Sequence, residues 1–153
     1  MLTDLELKPL IKMLVIDEGY KQFAYDDATG EPVKAPKGFL TIGIGLNIQA
    51  TGLTYDEAVY LCTNRVRIFE NNLASLKFYS GLSLNRQYVL INLAFNLGFG
   101  GLMEFHKMMA ALEKFDFEVA ASELLDSSAC KQLPGRYHRL AVQLATNIYQ
   151  YNY

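Results

Sequence analysis

The span from Gly19 to Gly52 most constrains what this chain can fold into. It holds six glycines, prolines at 32 and 36, and the alternating run Thr41-Ile42-Gly43-Ile44-Gly45. That chemistry breaks helices and suits short strands and turns. On both sides of it the apolar residues recur at helical spacing. Leu7, Leu10, Ile11, Leu14 and Val15 predict a first helix over Leu5 to Glu18, stopped by Gly19. Beyond Gly52, Thr54 and Glu57 form a predicted capping box, opening a helix to about Leu76. Ser83 is the expected cap of a strongly apolar helix from Leu84 to Leu97 that Gly98 ends. Leu102 to Lys114 resumes the pattern, Asp116 caps the next helix, and Pro134 leads into a last helix from Arg136 to about Tyr149. The fold class is therefore α+β, mostly helical, with one small antiparallel sheet near the amino end.

At 153 residues the chain is expected to form a single domain, with a β-containing lobe over about 15–55 and a helical lobe over about 56–153 on which the first helix packs. Hydrophobic residues make up 51% and charged residues 20%, which excludes the signature of disorder. Fourteen basic against sixteen acidic residues leave a net charge of -2, so no global positive field favours nucleic acid or an anionic membrane surface. No apolar run approaches the ~20 residues of a membrane-spanning helix, and Asp4, Glu6 and Lys8 interrupt the amino-terminal leucines, so neither membrane insertion nor a signal peptide is expected. Cys62 and Cys130 match no metal knuckle and read as small core residues; His106 and His138 stand alone, and no metal or cofactor is expected.

A stripe through Leu7, Ile11 and Leu14 places Glu18 near its centre and Asp17 toward its edge. Desolvation there, with the negative end of the helix dipole, would disfavour an ionised carboxylate and suit a general acid. The same position also suits a Glu that curls into water past its helix end. Nine residues on, Tyr25-Asp26-Asp27-Ala28-Thr29-Gly30 sets two carboxylates in a turn, where Asp ordinarily accepts local backbone hydrogen bonds. Inverting glycoside hydrolysis needs a second carboxylate ~6.5–9.5 Å from the acid to admit a water, and a helix end facing a hairpin can supply that gap.

Together, Ile16-Asp17-Glu18-Gly19, then Tyr25-x-Asp27, Gly30 and Thr41-Ile42-Gly43-Ile44-Gly45 resemble the phage lysozymes, the endolysin family whose pattern reads E-G, Y-x-D-x-x-G, T-I-G-x-G. The resemblance continues through Asn92-Leu93-Ala94-Phe95-Asn96-Leu97-Gly98 and Phe105 to Pro134, Arg136 and Arg139, covering roughly residues 5 to 150. It implies a lysozyme-like fold and a muramidase that cleaves the β-1,4 bond between N-acetylmuramic acid and N-acetylglucosamine by inversion. Carried over residue by residue, Glu18 is the acid that protonates the leaving oxygen, while Asp27 and Thr41 hold the attacking water. Asn47, Phe95 and Asn96 fall at positions that line the family's cleft; Phe95 equally suits the core, and the asparagines suit local caps. In the alternating strand, Thr41 and the glycines are expected to approach the sugar while Ile42 and Ile44 pack down.

Three departures stand out. Leu46 occupies the position where the family motif usually has His, which implies lost stability or altered pH dependence. The connection Glu31 to Gly38 enlarges the hairpin loop, and the chain lacks the basic charge of many relatives, which weakens steering toward an anionic wall. A lytic transglycosylase and a non-catalytic wall-binding module are the alternatives on the same fold. The resemblance further implies peptidoglycan as partner, a monomer, a stay in the host bacterial cytoplasm, and access to the wall through a separate holin-type membrane protein.

Overall fold

The computed structural model describes every residue except Asp27, Pro36, Asn152 and Tyr153. Helix α1 (Asp4–Glu18) opens with a capping box in which Thr3 and Glu6 satisfy each other's backbone donors, and its buried residues are Leu7, Leu10, Ile11, Met13 and Leu14. Pro9 lies inside it and removes one helical donor. Outside partners hold this stretch: the Tyr149 hydroxyl donates to the Pro9 carbonyl at 2.8 Å, and the Tyr88 hydroxyl donates to the Glu6 carbonyl. The start of the helix is tied to α3 (Tyr55–Leu73), where the buried Glu70 accepts the Leu2 N–H and Arg67 bridges Glu70 and Asp4.

The glycine-rich span forms β1 (Thr41–Ile42) and β2 (Leu46–Asn47), antiparallel, with Thr41 opposite Asn47 and Ile42 opposite Leu46; Tyr25 bridges to Pro32. The expectation that Ile42 and Ile44 pack down is corrected. Ile42 is 58% exposed and Ile44 fully so; the helix in contact with β1, α2 (Ile48–Thr51), is a single turn and does not cover them. Among the described residues from Gly19 to Thr54, only Gly52 is buried. A Cβ on Gly52 would meet the Gln22 carbonyl oxygen at 2.5 Å, and its φ of 64° also favours glycine. That close approach brings the span back to α3 and is closed by Leu53 N–H donating to the same carbonyl at 2.8 Å.

Helix α3 has its predicted capping box, Thr54 with Glu57, but ends at Leu73 rather than Leu76; the chain then tightens into a 3₁₀ turn at Tyr79–Gly81. Helix α4 (Leu84–Met103) buries a continuous run from Tyr88 to Ala94 and breaks at Gly98, at the predicted stop. Its second piece carries Leu102 and Met103, so α5 (His106–Glu113) begins later than the expected Leu102. Ser83 occupies the N-cap position of α4 without capping it, since its hydroxyl donates to Asn147 Oδ1 at 2.5 Å. Asp116 caps α6 (Phe117–Leu125) as predicted; α7 (Ser128–Gln132), capped by Ser127, has no counterpart in the sequence reading. Helix α8 (Pro134–Thr146) carries Pro134 in its first turn and stops at a left-handed Asn147, short of the expected Tyr149. The core lies where α1 meets α4 and where α5, α6, α7 and α8 pack together around it. Among the described residues, no single helix is long and apolar enough to cross a membrane.

Candidate active site

Glu18 is the last residue of α1, and Gly19 turns the chain away with a φ of 75°. The placement of the two carboxylates at this helix end is corrected by the structure. The Asp17 side chain has no exposed surface, whereas that of Glu18 is 39% exposed. The stripe through Leu7, Ile11 and Leu14 omitted Leu10 and Met13, both fully buried. With these included, the centre of the buried face falls between Asp17 and Glu18, and Glu18 extends past the helix end.

Arg136, near the start of α8 and almost fully buried, joins the two acids. Its Nη1 donates to Glu18 Oε1 at 2.7 Å, its Nε donates to Asn92 Oδ1 at 2.9 Å while lying 3.6 Å from Asp17 Oδ2, and its Nη2 donates to the Asn92 carbonyl at 3.2 Å. Asp17 is saturated with donors: Asn92 Nδ2 at 2.9 Å, the Tyr151 hydroxyl at 2.7 Å and Arg139 Nη2 at 2.5 Å. The Arg139 guanidinium also lies over the Tyr151 ring at 5.1 Å. Burial pushes the Tyr151 phenol far above its ordinary range, and its hydrogen bond to the Asp17 carboxylate and that charge push it further, so the phenol stays a donor. A buried carboxylate with two guanidiniums is thereby compensated, and the free arm of Arg136 fixes Glu18 in the partly open cleft.

Beside Glu18 lies an apolar pocket of about 150 Å³ walled by Leu14, Tyr20, Tyr55, Cys62 and Phe95. The Phe95 ring packs edge-to-face on Phe69, 6.0 Å between centroids, and also against the core, so it serves both environments. Burial, and then the Glu18 charge, push the Cys62 thiol up to about 11. Cys62 and Cys130 are both free thiols.

Thr41 and Asn47 face each other across the hairpin and do not wall that pocket. Thr41 is exposed and its hydroxyl donates to the Phe39 carbonyl at 3.2 Å; Asn47 Oδ1 caps α2 by accepting the Ala50 N–H at 3.0 Å. Asn96 Oδ1 accepts the Tyr137 hydroxyl at 3.0 Å. Asp27 lies outside the described residues. Gln49 Oε1 accepts from both Ala35 N–H, within the enlarged loop, and Leu40 N–H, just after it, each at 3.2 Å.

The family model of the phage lysozymes matches residues 16–141, a span containing Asp17, Glu18, Asn92, Arg136 and Arg139. The chain belongs to the phage lysozyme family. No curated protein matches it. For a phage lysozyme the expected chemistry is that of a glycoside hydrolase acting on peptidoglycan, and Glu18 is a carboxylate within reach of solvent in this site. Asp17, Asn92, Arg136 and Arg139, to which the resemblance assigns no role, form the scaffold of that carboxylate. Its signals were present: a second acid beside Glu18, two arginines one turn apart in α8, and one Asn within the apolar run of α4. Tyr151 lies beyond the matched span, gives no such signal, and is fully buried.

Proposed function

We propose that the protein is an endolysin-type muramidase that hydrolyses the β-1,4 bond between N-acetylmuramic acid and N-acetylglucosamine with inversion. The observation that carries this reading is Glu18 at the end of α1, partly open to solvent and fixed by the buried Arg136 at 2.7 Å, in a chain of this family. Glu18 protonates the leaving glycosidic oxygen, and Asp27 with Thr41 orient the water that attacks the opposite face. Phe95 offers its ring to an apolar face of the sugar; Asn47 and Asn96 contribute amide groups along the cleft. In this reading the enzyme acts on the host wall as a monomer, after a separate membrane protein has opened its way from the cytoplasm.

The test follows the turbidity of permeabilised Gram-negative cells with new reducing ends counted in the same tubes. Glu18→Gln lowers the rate by about 10²–10⁴-fold, the share of a positioned acid, and Asp27→Asn lowers it strongly. Product masses carry the added water of hydrolysis. Anhydro products would replace the reading with a lytic transglycosylase, and wall binding without new ends, by a folded wild type, would leave a binding module.

A further inference from the structure

A groove of about 970 Å³ lies between α1 and α3. It is distinct in lining from the Glu18 pocket except for Val15, Tyr55 and Val59, which wall both. Its floor is apolar and periodic: Leu7, Ile11 and Val15 come from α1 at four-residue steps, and Tyr55, Val59 and Thr63 come from α3 at the same step. The α1 wall runs from Asp4 to Ile16, about 18 Å at 1.5 Å per residue, or three helical turns. Two helical ridges side by side, with the start of α1 against the end of α3, offer the interdigitation a third helix needs.

The charges at the rim select the occupant. Lys8 and Lys12 stand one turn apart on the α1 wall, both exposed, and among the described residues neither has a carboxylate within ion-pair distance. Asp4, at the groove's end, is already taken by Arg67 at 2.9 Å. This unpaired cationic edge occurs on a chain whose net charge is -2. Asp56 stands on the opposite wall. We propose that the α1–α3 groove docks an amphipathic helix of a partner protein, with an apolar stripe between the ridges and acidic residues one turn apart against Lys8 and Lys12. Exposed Tyr60, a lining residue of the α3 wall, packs on the same stripe.

The probe is a labelled peptide of about 14 residues with leucines at i, i+4, i+7 and i+11 and glutamates along one flank, titrated against the full chain by fluorescence anisotropy. Saturable binding is expected, weakened at least about tenfold by Lys8→Glu with Lys12→Glu and about fivefold by Tyr60→Ala. A peptide with lysines in place of the glutamates restores binding to the charge-reversed protein. All variants change exposed side chains, and circular dichroism verifies that each is folded. Equal binding of a scrambled peptide, or indifference to the charge reversal, overturns the proposal. So does a concentration-dependent dimer in sedimentation that the charge reversal abolishes, which assigns the groove to a second copy, or binding to anionic phospholipid vesicles with none to the peptide.

Discussion

Asp17 and Glu18 are neighbours in sequence with opposite environments, and the difference comes from what the last helix places against each. The Asp17 side chain has no exposed surface and receives donors from Asn92, Tyr151 and Arg139, with Arg136 close by. Removing its carboxylate takes the counter-charge from Arg139 and leaves the nearly buried Arg136 paired with Glu18 alone. Asp17→Ala is expected to lower stability by about 3–5 kcal/mol, whereas Tyr151→Phe, which removes one hydrogen bond to a charged group, costs about 1.5–3 kcal/mol; urea unfolding measures both. Glu18 also reaches Cys62 electrostatically. A thiol pushed up to about 11 has few thiolates at neutral pH, so alkylation of Cys62 at pH 8 is expected to run about a hundredfold slower than that of a free cysteine. The rate keeps climbing through pH 10 instead of levelling near 9. Glu18→Gln removes the repelling negative charge, lowers the thiol's pKa and speeds labelling at fixed pH. Mass spectrometry of the peptide containing Cys62 follows this, and an unchanged rate in Glu18→Gln would separate the two groups.

At the scale of elements, the features legible in the sequence are those decided within a few residues. The Thr54–Glu57 box, the Asp116 cap, the Pro134 opening and the Gly98 break all rest on local backbone chemistry and stand in the structure as expected. Ser83 differs because a tertiary partner, Asn147, competes for its hydroxyl. The burial of Asp17 was hidden for a similar reason: the stripe on α1 is completed by Leu10 and Met13, but the groups that make a buried carboxylate tolerable lie 75 to 134 residues away along the chain. Glu18 itself was legible through its motif, since a Glu-Gly helix end is local. The Gly98 break gives a direct test. Its φ of 74° and ψ of 159° belong to a region open essentially to glycine, and nothing lies within 4 Å of where a Cβ would stand. Gly98→Ala therefore carries a backbone cost alone, about 1–3 kcal/mol in urea unfolding, with no steric clash to relieve. Indifference to this change would mean that the two pieces of α4 join in another geometry.

Across the whole molecule, apolar burial is divided unevenly. The helices share one core in which Leu10, Met13, Leu90, Ile91, Leu93, Leu140 and Leu144 have no exposed surface, while the span between α1 and α3 buries only Gly52 among its described residues. Phe39, Ile42 and Ile44 stand in water there, so the period-two pattern that marked the strand did not mark a buried face. A few hydrogen bonds hold the span instead: Leu53 N–H to the Gln22 carbonyl at 2.8 Å, the Tyr20 hydroxyl to the Leu53 carbonyl at 2.6 Å, and the paired acceptance by Gln49 in the long loop. Each such bond contributes only about 0.5–1.5 kcal/mol net, and exposed ones compete with water. Thr41 is carried on this span, so that side of the proposed cleft opens more easily than the side built from Glu18 and Arg136. Native-state hydrogen exchange is expected to show the difference: amides of residues 20–51 exchange through local opening at a small fraction of the global unfolding free energy, while those of α4 near Leu90 to Leu93 and of α8 near Leu140 exchange only with global unfolding. Equal protection in both regions would mean that the hairpin is held by contacts beyond these bonds. Saturation with a chitooligosaccharide that bridges both sides should slow exchange selectively in residues 20–51, because a ligand stabilises the openings it forbids.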